Sequence, residues 1–384
     1  MSKYLKFLIL TLLILMLAFF ISCTNVESVE TEIEQQTSVT SVDSVEETEI
    51  TEETEVEISV VETTEEELKK EFSPTITGNI SIFGFPYNVH VAEDYAYIAG
   101  MGLNIIDITD KENPKMVGML QSNAWWRVGF YIEEDFAYFP YEIQDKGNFS
   151  EGGLQIIDVS DKNGPAVVGT VKSEGRIKDV WVIEDYAYAT YEIYNEKSGV
   201  QIINVSDKKN PITVGVYEIG NFSISSIRIE SNYLYILVGD ILKIMDISDK
   251  ESLVGMSSYP ISGTMDFYIE GNYLYLPSDN SLQIIDVSDK ENPIIAVDIL
   301  ASGEVTDVFI NNNNAFITYV IRDSEDQVEK SGVQIIDVED KNNPALIAEL
   351  EIPGQAMGIF IKGDYAYVGA GPQAGLQIIK LFNE

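Results

Sequence analysis

From Pro74 to the C-terminus, apolar residues fall into short alternating runs punctuated by Gly, Asn, Asp and Pro, the signature of strands rather than helices. One run recurs as Gly102-Leu-Asn-Ile-Ile-Asp107, Gly153-Leu-Gln-Ile-Ile-Asp158 and Gly199-Val-Gln-Ile-Ile-Asn204. It continues as Leu242-Lys-Ile-Met-Asp246, Ser281-Leu-Gln-Ile-Ile-Asp286, Gly332-Val-Gln-Ile-Ile-Asp337 and Gly375-Leu-Gln-Ile-Ile-Lys380, at intervals of 40 to 51 residues. Apolar side chains fall on both of its faces, Leu154 and Ile156 on one, Ile157 and Val159 on the other. Such a strand is sandwiched between two layers.

Three more strands surround each copy. A first strand such as Asn88 to Ala92 leads into a two-residue turn (Glu93-Asp94, Glu134-Asp135, Glu184-Asp185, Gly271-Asn272, Gly363-Asp364). The second strand is aromatic at alternate positions, as in Tyr95 and Tyr97, Phe136 and Tyr138, or Tyr186 and Tyr188. After the Ile-Ile-Asp strand comes Ser/Thr-Asp-Lys-x-Asn-Pro, whose Asp and Asn brace a turn and whose Pro fixes the exit. A fourth strand follows, for example Lys115-Met-Val-Gly118.

The ends of the array decide the architecture. The seventh unit stops after its third strand, at Leu381, while Pro74-Thr-Ile-Thr-Gly78 matches the fourth strand Pro114-Lys-Met-Val-Gly118. An N-terminal strand that completes the last blade closes a ring and removes exposed sheet edges. The expected fold is therefore all-β: a seven-bladed β-propeller. An open solenoid needs terminal caps, and none is legible.

The Ile-Ile-Asp-Val-Ser-Asp-Lys-x-Asn-Pro segments resemble the LVIVD-repeat proteins, a bacterial and archaeal family of propellers that are often exported. The resemblance covers about Pro74 to Phe382 and implies the fold and a surface location; it brings no catalytic residues. The fourth copy departs most, since Asp249-Lys250-Glu251-Ser252 runs into Leu253 without Pro, and the seventh ends its motif with Lys380.

Ahead of the repeats the pattern changes twice. Lys3 and Lys6 precede an apolar run from Phe7 to Ile21, too short for a comfortable membrane span and fit for an export signal. The run ends in Phe20-Ile21-Ser22-Cys23, which resembles a bacterial lipobox and makes Cys23 the expected lipidation site. Acyl burial at about 0.8 kcal/mol per methylene then holds the chain on a membrane. From Thr24 to Phe72 the chain carries 17 acidic residues against Lys69 and Lys70, with Thr, Val and Ser between, the composition of a disordered tether. The expected organisation is a lipoprotein signal peptide over 1–22, an acidic tether over 23–72 and the propeller over 73–384.

Composition narrows the chemistry. A formal net charge of -39 disfavours nucleic acid, whose phosphates need a basic footprint. One cysteine excludes an intrachain disulfide framework, and one histidine excludes His-rich metal sites. The repeated Asp107-x-Thr-Asp110-Lys-Glu-Asn113 has calcium-like oxygens, but a lysine intrudes and the glycine of a calcium loop is missing, so a structural turn is expected.

Residues that break the repeat are better functional candidates, because propellers graft function onto the loops of one face. Blades 2, 3 and 6 insert Tyr141 to Gly152, Tyr191 to Ser198 and Val320 to Ser331 between their second and third strands. The connection from blade 1 to blade 2 holds Trp125, Trp126 and Arg127, residue types that dominate binding hot spots. Aligned first strands bring Asn88, Gly129, Asp179, Ser226, Asp266, Asp307 and Gly358 to equivalent positions at the channel mouth. His90, alone of its kind, is expected to be packed or at the rim. The sequence thus points to a monomeric, lipid-anchored, extracytoplasmic module of the cell envelope that binds an envelope protein or glycan without catalysis, cofactor or metal. The competing class is a hydrolase or lyase using the mouth carboxylates.

Overall fold

The computed structural model describes residues 71–82, 84–121, 129–145, 148–262 and 266–382. The expected signal peptide, Cys23, the tether up to residue 70 and the Trp125, Trp126, Arg127 segment lie outside the described residues.

Each unit begins with a strand that ends in a two-residue turn. The first turn residue is left-handed in all seven blades: Glu93, Glu134, Glu184, Ser231, Gly271, Asn312 and Gly363, with φ between 49° and 59°. That conformation matches the twist of a hairpin and keeps the two strands in register, Ala92 opposite Tyr95 and Ile183 opposite Tyr186. Third and fourth strands follow, so that the described residues form seven four-stranded antiparallel sheets, six of them consecutive in sequence. The seventh pairs Phe72–Ile80 with Leu376–Phe382, through Thr75 opposite Lys380 and Ile80 opposite Leu376. The innermost strands of neighbouring blades touch in cyclic order, blade 7 against blade 1 included. The ring is closed, as the sequence predicts, with Phe72 the first residue of the closing strand.

No single centre holds the hydrophobic core. Seven apolar clusters lie one between each pair of blades, for example Tyr97, Leu103 and Ile105 of blade 1 against Ile132, Ala137 and Val159 of blade 2. The aromatic ladder sits at these seams, with Tyr97, Tyr138, Tyr188, Tyr235, Tyr275 and Tyr367 fully buried.

The polar half of the repeat locks the seams. Asp107 Oδ1 accepts the Thr109 N–H at 2.9 Å, and Asp110 accepts from Glu112 N at 3.0 Å and Asn113 Nδ2 at 3.0 Å. The same bonds recur around Asp158, Asp207, Asp286 and Asp289. In five of the six turns the lysine reaches the aromatic ladder of the preceding blade, while Lys250 of blade 4 donates to Asn232 Oδ1 at 2.9 Å. Lys162 Nζ lies 5.5 Å from the Tyr95 ring, Lys208 5.4 Å from Tyr138, Lys290 5.3 Å from Tyr233, Lys341 5.4 Å from Tyr273 and Lys111 5.8 Å from Tyr365. These are cation–π distances. The residue that intrudes on a calcium loop is therefore a fastener between blades.

The fourth strand closes onto the same lysine turn. A Cβ on Gly118 would stand 2.0 Å from the Lys162 carbonyl oxygen, and one on Gly169 2.1 Å from that of Lys208. In blade 4 the equivalent Ser257 donates a 2.7 Å hydrogen bond to the Lys290 carbonyl instead.

The insertions of blades 2, 3 and 6 extend the strands rather than forming irregular loops. Blade 2 runs Phe136–Asp145 and Asn148–Asp158, blade 3 Tyr186–Ile193 and Lys197–Asn204, blade 6 Asn314–Arg322 and Val328–Asp337. These hairpins rise above the face on which the first strands begin. Gly169→Ala is expected to destabilise the protein by about 2 kcal/mol or more through backbone overlap. Gly220→Ala, whose Cβ would meet nothing within 4 Å, is expected to change stability by less than about 0.5 kcal/mol. Denaturant melts of the two variants check the contrast.

Candidate functional site

The first strands run from that face down the axis, so residues five positions before each left-handed turn share one tier. Asn88, Gly129, Asp179, Asp266 and Asp307 line a common cavity of about 410 Å³ at the channel mouth, with Tyr87, Pro277, Asp279, Glu304, Arg322, Gln355 and Met357 among its walls. Five of the seven positions aligned in the sequence thus meet in one cavity, Asn88, Asp179, Asp266 and Asp307 among them.

Their hydrogen bonds show what the carboxylates do. Asp179 is buried, and its Oδ1 accepts Val180 N at 2.9 Å. Its Oδ2 accepts Ile227 N at 2.9 Å and Arg228 Nη1 at 2.9 Å. Asp307 repeats the backbone part: Oδ1 takes Val308 N at 2.8 Å and Oδ2 takes Ile359 N at 2.8 Å. Each carboxylate thus joins its own strand to the first strand of the next blade. Gly129 allows this packing, because a Cβ there would lie 1.8 Å from Asp179 Oδ1.

Arg228, two residues beyond Ser226, is the side chain that sequence reasoning missed. Its Nη2 meets both oxygens of Asp266 at 2.6 and 2.8 Å, while Nη1 holds Asp179. The Ser226 hydroxyl lies 2.7 Å from Asp266 Oδ1 and 3.0 Å from Asp179 Oδ2 and donates to one of them. The guanidinium stacks 5.2 Å from the Trp181 ring. Burial works to lower the Arg228 pKa, and Asp266, Asp179 and Asp307 more than offset it, so the group stays charged. Burial pushes the Asp179 carboxyl up, against the pull of Arg228.

The tier below the mouth is aromatic. His90, Tyr131, Trp181, Arg228, Tyr268, Phe309 and Phe360 occupy the same offset in the seven first strands. His90 and Phe360 lie 4.8 Å apart, Phe360 and Phe309 4.8 Å, Phe309 and Tyr268 5.0 Å, and Tyr131 and Trp181 5.0 Å. Burial, with Lys362 nearby, lowers the His90 pKa to about 4, so it is a neutral packed ring at physiological pH. The row itself was the available signal: six aromatic rings and one arginine at one repeat offset.

Asp307 differs from its neighbours. Burial first and the Asp266 charge second push it up to about 8, against the pull of its two backbone donors and Arg228. Among the described residues no group of three or more His, Cys, Asp or Glu side chains has metal-holding geometry.

Seven closed blades of four strands define a β-propeller protein, with a mouth cavity on the face where the extended hairpins stand. Its blades match a family model described as the LVIVD repeat over residues 84–121, 146–173, 174–219, 223–260, 263–300 and 353–379, more than half of the chain. The chain belongs to the LVIVD-repeat family. Blade 6 falls outside the matched segments yet forms the same four strands. No functionally curated protein matches the chain. Among solved structures, the fold is similar to that of a functionally unknown protein from Desulfotomaculum acetoxidans DSM 771. That likeness has 12% identity and a TM-score of 0.59, and covers 74% of this chain and 92% of that one. It is also similar to the computationally designed Ika8 protein, at 7% identity and a TM-score of 0.52, covering 79% of this chain and 99% of that one.

Two outcomes test the reading of the cluster. Arg228→Met leaves the buried Asp179 carboxyl without its cation, at an expected cost of about 3–5 kcal/mol, part of which returns in Arg228→Met with Asp179→Asn; denaturant titrations of the single and double variants read both. Asp307 keeps its proton up to about pH 8 when folded but releases it near about pH 4 when unfolded. A raised carboxyl pKa thus makes stability fall as pH climbs from the unfolded to the folded value. Urea midpoints at intervals across this window are expected to decline more steeply for the parent than for Asp307→Asn.

Proposed function

We propose that this LVIVD-repeat propeller is a lipid-anchored, extracytoplasmic binding module whose hairpin face engages a protein or glycan of the cell envelope. The carrying observation is that one face gathers the insertions between second and third strands. The extended hairpins, the mouth cavity and the turns between second and third strands all open there. Large exposed apolar side chains stand on it, namely Met101, Ile143, Tyr194 and Phe222, the last two 72% and 61% exposed. Ion pairs stiffen the hairpins of blades 2 and 3: Arg176 with Glu142 at 3.1 Å and Lys178 with Glu192 at 2.5 Å. A rigid platform with exposed aromatic tips loses little entropy on binding. Trp125, Trp126 and Arg127, outside the described residues, enter this reading from the sequence alone, as part of a connection between a fourth and a first strand. Lipid attachment at Cys23 and export rest on the N-terminal sequence alone.

A second reading, acid–base chemistry in the mouth, has Asp307 in its favour, since a carboxyl titrating near neutrality beside a cavity suits proton transfer. Against it, Asp179 and Asp266 are engaged by Arg228.

The test is cross-linking capture from envelope extract, with bound material identified, using the parent, a Trp125→Ala/Trp126→Ala variant and a Tyr194→Ala/Phe222→Ala variant. The binding reading expects one identified species to be retained by the parent and reduced at least about tenfold in both variants, the loss of a hot-spot residue being worth about 2 kcal/mol or more. Equal retention by all three would sink it.

A further inference from the structure

A groove at the outer rim, away from the hairpin face, is built by two departures of blade 4 from the repeat. In six blades the third residue of the Ile-Ile-Asp strand is an amide: Asn104, Gln155, Gln201, Gln283, Gln334 and Gln377. Where it reaches a neighbouring segment the amide ties it down. Gln201 Nε2 donates to Lys172 O of the preceding blade at 2.8 Å and to Thr213 Oγ1 at 2.7 Å. Gln334 accepts from Ser302 N at 3.1 Å and donates to its Oγ at 2.7 Å. Blade 4 has Lys243 at this position.

The second departure is opposite. The fourth strands carry Ile76, Met116, Val167, Thr213, Ile295 and Leu346 two residues past the turn proline, and blade 4 carries Gly255, which pairs with Met245. A Cβ on Gly255 would find only the Met245 thioether, at 4.0 Å. The seam with blade 3 also differs here. A Cβ on Gly215 would meet the Tyr217 ring at 2.7 Å and the Glu251 carbonyl oxygen only at 3.5 Å, where the glycines of blades 1 and 2 would stand 2.0 and 2.1 Å from a lysine carbonyl.

The result is a groove of about 330 Å³ lined by Glu218, Ile219, Lys243, Met245, Gly255, Met256 and Ser258, with Ser257. Its ammonium is under-used. The Lys243 amine reaches Ser258 Oγ at 3.5 Å, the limit of a hydrogen bond, and no carboxylate lies within ion-pair distance of it among the described residues. Glu218 is exposed at the groove's lip and forms no ion pair with it. The other walls are two thioethers and an isoleucine, adaptable apolar surface.

We propose that this groove is a binding site for a small carboxylate with an aliphatic body, the carboxylate on Lys243 and the body against Met245, Met256 and Ile219. A charge-assisted bond to one ammonium supplies the orientation and the apolar walls the rest. The site is independent of the hairpin face.

The experiment uses the full chain labelled with ¹³C-methyl methionine, titrated with hexanoate and with neutral hexanamide, while the Met245 and Met256 methyl resonances are followed. Saturable shifts at both methyls with hexanoate, at least about tenfold weaker with hexanamide, are expected. Lys243→Gln installs the amide that five other blades carry and keeps the fold, which a thermal melt verifies; it is expected to weaken hexanoate at least about tenfold. Gly255→Val fills the groove and is expected to abolish the shifts. No saturable shift, equal shifts with hexanamide, or a hexanoate response that survives Lys243→Gln overturns the proposal.

Discussion

The contact on which this propeller depends is the one where a lysine of one blade lies over the tyrosines of the blade before it. Each blade is a small sheet whose two faces are apolar, and it is stable only when both are covered. The lysine turn brings a cation to the aromatic ladder and its own carbonyl to the outer strand, where glycine allows direct backbone contact. Asp side chains hold that turn in shape by accepting its N–H groups, and the motif's Asn side chain donates to the second Asp. One motif of six residues thus settles turn, seam and outer strand together, and closure by Phe72–Ile80 leaves no seam open.

At the axis a second set of contacts takes over. Asp179 and Asp307 accept backbone N–H groups from the next blade, and Arg228 draws Asp179 and Asp266 onto one guanidinium. Carboxylates that look like a catalytic ring in sequence are largely committed to joining strands. Only the Asp307 side of the ring faces the cavity with a carboxyl held near neutrality by burial and by Asp266. The aromatic tier beneath sets neighbouring rings in contact along the first strands.

Blade 4 shows how a repeat acquires a local property. Losing the turn proline, exchanging an amide for Lys243 and a larger side chain for Gly255 each cost packing that another blade has. Tyr217 compensates in part, donating to the Glu251 carbonyl at 2.8 Å. The opening that remains carries charge and flexible apolar walls together.

Fold class and blade count were legible in the sequence because alternation and turn chemistry recur along the chain, and ring closure because the displaced strand at Pro74 matches the other fourth strands: all are local patterns. The mouth tier was legible for the same reason, since a fixed distance to the turn defines it. What sequence alone could not supply was direction and partnership across seams. Arg228 stands in an aromatic row, and nothing local says that its guanidinium crosses to Asp179 of the preceding blade and Asp266 of the next. The insertions of blades 2, 3 and 6 lack the apolar alternation of the repeat, and only their pairing shows that they continue the strands. Local order follows from short-range sterics and hydrogen bonding that a repeat displays openly. Which charge meets which, and where packing is left incomplete, depends on contacts between residues tens of positions apart, and only the closed ring decides them.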